Sequence, residues 1–82
     1  MQPSKVQEAI EKAIAFVRDN QVRLQEIAAE KCDPRDTEAR ARKTNAADLL
    51  RSYSVLEADP NNIPARAQIL IKTELWHVFH KL

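Results

Sequence analysis

The chain contains no glycine. Glycine supplies the positive-φ backbone of tight hairpins and bulges, and the close approach of backbone to a phosphate. Its absence weighs against hairpin-rich β folds, P-loops and dinucleotide-binding fingerprints together. Alanine, Glu, Gln, Lys, Arg and Leu dominate instead, and all are good helix formers. A chain of 82 residues allows one domain with a modest core. The expected class is all-α: a small three-helix bundle built on a long antiparallel helical hairpin with a shorter C-terminal helix, a single domain over 1–82. In the runner-up arrangement the third helix of a long hairpin docks on a second subunit.

Three helices are expected, over about 5–31, 34–57 and 63–81. The first opens with Ser4-x-x-Gln7, a capping box in which the serine oxygen accepts an N–H of the first turn. Val6, Ile10, Ala13, Val17, Leu24 and Ile27 form its apolar stripe, widened by Ile14 and Ala28. Asn20 interrupts that stripe. It is either a buried polar residue that fixes register or a solvated residue at the stripe edge. Cys32-Asp33-Pro34 marks the first break, with Asp33 as N-cap, Pro34 in the first helical position and Asp36 favourable to the helix dipole. The second helix has a clear face only in its later half: Ala46, Leu49, Leu50, Tyr53 and Leu56. Ala39, Ala41, Thr37 and Thr44 offer small groups in its first half. Asp59-Pro60-Asn61-Asn62-Ile63-Pro64 makes the second break, where Asp59 or Asn62 caps the third helix and Pro64 fits its first turn. Periodicity favours a helix after Ile63 over two short strands, since a hairpin at Lys72-Thr73-Glu74 lacks turn residues.

The third helix carries the functional expectation. Ile69, Leu70, Ile71, Leu75, Trp76, Val78, Phe79 and Leu82 nearly encircle it, which is more apolar girth than one neighbouring pair of helices covers. Contiguous exposed apolar surface usually marks an interface. The chain therefore reads as a small helical protein–protein interaction module, an adaptor, chaperone-like subunit or regulator, that self-associates through this helix. The expected interface is Leu70, Ile71, Leu75, Trp76, Phe79 and Leu82, anchored by Trp76 and Phe79 as large aromatics, with Lys72 and His80 at the rim.

Other chemistry is weaker. The net charge is +1, where a general nucleic-acid binder shows a stronger basic bias. The local exception is Arg35, Arg40, Arg42 and Lys43, in a stretch 35–43 that carries +2. This is the alternative reading, a nucleic-acid-binding regulator in which Arg40 and Lys43 contact phosphate. Asp33, Asp36 and Glu38 are interleaved with it and weigh against it. Glu74, His77 and His80 are spaced by threes, a drifting row without a further convergent ligand, so no metal is expected. Cys32 is the single cysteine. It cannot form an internal disulfide, and as a nucleophile it lacks an identifiable base. No enzyme activity, cofactor or small-molecule substrate is expected. Neither a signal peptide nor an apolar run long enough for a bilayer is visible, so the expected location is cytoplasmic and no membrane span is expected.

Overall fold

The computed structural model describes residues 4–79. Four helices follow one another: α1 (Lys5–Asp19), α2 (Gln21–Ala29), α3 (Thr37–Ala58) and α4 (Ile63–Phe79). No strand occurs among the described residues. The all-α bundle expected from the sequence is the fold, with its first helix divided in two.

The division falls at Asn20, whose backbone leaves the helical region at φ −120°, ψ 20°. Asn20 Nδ2 donates to the Phe16 carbonyl at 2.7 Å. Its backbone N–H is shared between the carbonyls of Phe16 and Val17. An asparagine amide can thus close the last turn of α1 while the next residue begins α2. Neither expectation for Asn20 describes this role. It is half-buried, and it works within its own segment as a bend. Beyond the bend, α2 packs along α3, whereas α1 leans chiefly on α4.

Local capping explains the other boundaries. Ser4 Oγ accepts the Gln7 N–H at 3.1 Å, as the capping box predicts. The start of α3 corrects the sequence reading. Asp33 closes a turn, accepting the Arg35 N–H on its carboxylate at 2.9 Å and the Asp36 N–H on its carbonyl. Asp36 is the N-cap of α3 and accepts the Ala39 N–H at 3.1 Å. The cap is thus Asp36 and not the expected Asp33, and the helix begins three residues later than expected. Asn62 caps α4 by accepting the Ala65 N–H at 3.0 Å.

The core lies where α3 meets its neighbours. Val17, Leu24, Leu49 and Ile69 are fully buried, each worth about 1.5–3 kcal/mol relative to exposure. Ile10, Ala13, Ile27, Ala46 and Leu56 complete it with Ala65 and Trp76. Val6, expected in the first stripe, is instead exposed. The ion pair between Lys72 Nζ and Asp48 at 3.1 Å links α4 to α3. The short turn after α3 makes that pairing antiparallel.

Thr73 is an exception inside this core. It is buried, and its Oγ1 finds no hydrogen-bond partner among the described residues. A buried unsatisfied hydroxyl costs about 1–3 kcal/mol. Thr73→Val, nearly the same shape, is therefore expected to raise stability by about 1 kcal/mol, a shift of roughly 4–8 °C in Tm for a domain of this size. Asn20→Ala removes the side-chain bond to Phe16 and is expected to lower stability by about 0.5–1.5 kcal/mol. Thermal melts followed by far-ultraviolet circular dichroism check both.

Candidate docking surface on the C-terminal helix

Two apolar stripes run along α4. Ala65, Ile69, Thr73 and Trp76, spaced four, four and three, face the core and are all buried. Ile63, Ala67, Ile71 and Leu75 follow at steps of four, with Val78 one heptad beyond Ile71, and all five are exposed. At about 100° per residue these positions form a continuous strip on the side away from α3. Ile63 remains 77% exposed, Ile71 51% and Val78 65%. At its N-terminal end the strip borders an open groove between α1 and α4. Val6, Ile10, Leu70 and Ala67 line this groove with Ile63 and Ile71; Gln7 and Arg66 are its polar edges.

The expected interface divides accordingly. Ile71 and Leu75 lie on the outer strip, and Leu70 is half-buried at the groove. Trp76 is corrected: at 4% exposure it belongs to the core and is not a surface anchor. Its ring packs against Phe16 of α1, with centroids 6.4 Å apart. His77 meets the same Phe16 edge-on at 5.1 Å. The Phe79 side chain, His80 and Leu82 lie outside the described residues. Lys72, expected at the rim, is engaged with Asp48 within the fold.

Sequence reasoning left Val6, Ile63 and Ala67 out of the surface, and counted Val78 in the girth without choosing it as a contact. The repeating step of four from Ile63 to Leu75 is the signal that finds them. Val22 and Val55 are also exposed, but each stands apart from this strip on another helix.

Charge around the strip is unevenly satisfied. Arg66 reaches Glu11 of α1 at 3.6 Å and donates to the Pro60 carbonyl at 3.2 Å. Glu74 is exposed and forms no ion pair with a described residue. Arg66 is half-buried and Glu11 exposed, and a pair screened on one side in this way contributes about 0–1 kcal/mol.

Of the basic stretch, Arg40 and Lys43 lie about 60° apart on α3, and the other two arginines stand away from them. Arg35 precedes α3, and Arg40 donates to the Pro34 carbonyl at 3.4 Å. Arg42 stands about 200° around α3 from Arg40. It is half-buried and lines a small cavity beside Phe16, Leu24 and Trp76. Lys43 is half-buried as well. Cys32 is a free, half-buried thiol in the α2–α3 connection. No group of three or more His, Cys, Asp or Glu among the described residues is placed to hold a metal. No helix among them is long and apolar enough to cross a membrane. Comparison with family models, curated proteins and solved structures finds no match for the chain.

The two stripes predict opposite outcomes for neighbouring substitutions. Trp76→Ala empties a core site and is expected to cost about 3–5 kcal/mol. Ile71→Ser, on the outer strip, is expected to change monomer stability by no more than about 0.5 kcal/mol. Urea unfolding of the two variants, at a protein concentration low enough to keep them monomeric, measures the contrast.

Proposed function

We propose that this chain is a helical protein–protein interaction module, a binding rather than a catalytic protein, that self-associates through the outer face of α4. The observation that carries the reading is the strip from Ile63 to Val78, where three large aliphatic side chains remain more than half exposed on one helix face. Solvent contact of this extent is unfavourable by roughly 25 cal/mol for each Å² of apolar surface, and covering it stabilises a complex. The contact differs from the one expected from sequence in its anchors: aliphatic Ile71, Leu75 and Val78 replace Trp76. Adaptor, chaperone-like and regulatory roles all use such a face, and cytoplasmic residence is part of the same proposal. The nucleic-acid alternative keeps Arg40 and Lys43, about 60° apart around α3, as its phosphate contacts, but Arg42 does not join them.

Sedimentation velocity across a range from about 10 µM to about 1 mM tests the proposal, covering the weak affinities expected of small interfaces. The wild-type chain is expected to show concentration-dependent mass. Ile71→Glu is expected to abolish it, while Val22→Glu, an equally polar change at an isolated exposed valine, leaves it unchanged. A chain that stays monomeric throughout, or a loss of association in both variants alike, sinks the proposal.

A further inference from the structure

Arg42 is a charged residue on the buried line of α3. It stands seven residues before Leu49, four before Ala46 and three before Asn45, all of which are buried. At about 100° per residue these positions share one face. Arg42 is half-buried there. No hydrogen bond or ion pair joins it to another described residue. Many half-buried arginines lay their stems on apolar surface and put their heads into bulk water. Arg42 instead borders a cavity of about 120 Å³. A charge drawn partly out of water without a counter-charge is unfavourable, and an anion in this cavity relieves it.

The cavity lies where the four helices meet. Phe16 of α1, Leu24 and Ile27 of α2 and Trp76 of α4 give it apolar and aromatic walls. Its existence follows from the sequence of α3, where Ala39 and Ala46 flank Arg42 on the inner side and offer nothing large to fill the space. A void of about 150 Å³ holds one benzene ring, so the apolar part of a ligand here is about that size or slightly smaller.

Charge sets the ligand class. Arg23 and Glu30, both exposed, form the rim. Two arginines against one glutamate leave the lining with one net positive charge. A single carboxylate balances it, whereas a phosphate monoester near −2 exceeds it. The planar guanidinium fork also matches a carboxylate bidentately. Arg23 already lies 3.9 Å from Glu26, which leaves Arg42 as the group that meets the ligand.

We propose that this junction binds a small monocarboxylate with an apolar body of about one ring. Arg42 holds the acid end, and Phe16 and Trp76 enclose the ring. Leu24 and Ile27 complete the apolar wall. The site is separate from the outer face of α4 and stands whether or not that face associates.

Titration of the ¹⁵N-labelled chain with benzoate, followed by amide and indole chemical shifts, tests the proposal. Benzoate is expected to saturate with a Kd of about 1 mM, a range open to so small a ligand. The shifts are expected to centre on Phe16, Leu24, Ile27 and Trp76. Benzamide keeps the ring without the charge, and acetate keeps the charge without the ring; each is expected to bind at least about tenfold more weakly. Arg42→Met, similar in length, is expected to lose at least about tenfold in affinity, and Arg42→Lys, which keeps the charge without the fork, to lose less. Glu30→Gln removes a like charge from the rim and is expected to tighten binding.

Absence of a saturable shift by about 20 mM benzoate overturns the proposal. Acetate binding as tightly as benzoate reduces the site to a counter-ion at an arginine, and equal binding of benzamide reduces it to an apolar void; either result overturns it. So does undiminished binding by Arg42→Met, or a set of shifts centred elsewhere on the chain. Circular dichroism checks that the variants are folded, and the comparison of three ligands on the wild-type chain carries the test without them.

Discussion

α4 can be held in place only because its inner stripe fits between α1 and α3. Ile69 is fully buried and Trp76 nearly so, the latter with its ring beside Phe16. The Lys72–Asp48 pair adds a polar link between α4 and α3 beside this stripe. Everything on the far side of α4 follows from this seating. Once Ala65, Ile69, Thr73 and Trp76 face inward, helix geometry turns Ile63, Ala67, Ile71 and Val78 outward. The exposed strip is therefore a geometric consequence of the core.

The bend at Asn20 makes this seating possible. A straight helix from Ser4 to Ala29 would keep one line of contact along α3. The break lets α2 stay on α3 while α1 turns to cover the upper part of α4. Phe16, one turn before the bend, is then placed against Trp76 and His77. A chain without glycine makes this change of direction using an asparagine whose side chain bonds its own preceding turn.

Helix content, the two connections and most of the core stripes were legible in the sequence. Ile10, Ala13, Val17, Leu24 and Ile27 recur at helical spacing and are buried together. Other features were not legible, for physical reasons. Periodicity detects an interruption at Asn20 but does not distinguish a wet helical residue from a bend, since both are polar positions in a stripe. At Asp33 and Asp36 either residue satisfies the capping rules, and the choice depends on the turn at Pro34. The inward side of α4 was hidden more deeply. Its two stripes have nearly the same spacing, and the buried one contains Thr73 while the exposed one contains two isoleucines and a valine. By hydrophobicity alone the wrong stripe looks like the core. Only the positions of α1 and α3 decide, and these are set by contacts distant in sequence.

The placement of Trp76 separates two observables. It is the single tryptophan of the chain, and its indole lies on the face of α4 opposite the strip. Its fluorescence therefore reports the seating of α4 against Phe16, with emission at the short wavelengths of an apolar surrounding. Whatever covers Ile71 and Val78 acts on the other side of the helix. The optical signal of folding and the hydrodynamic signal of assembly thus arise from opposite faces of one helix, and each can be followed while the other changes.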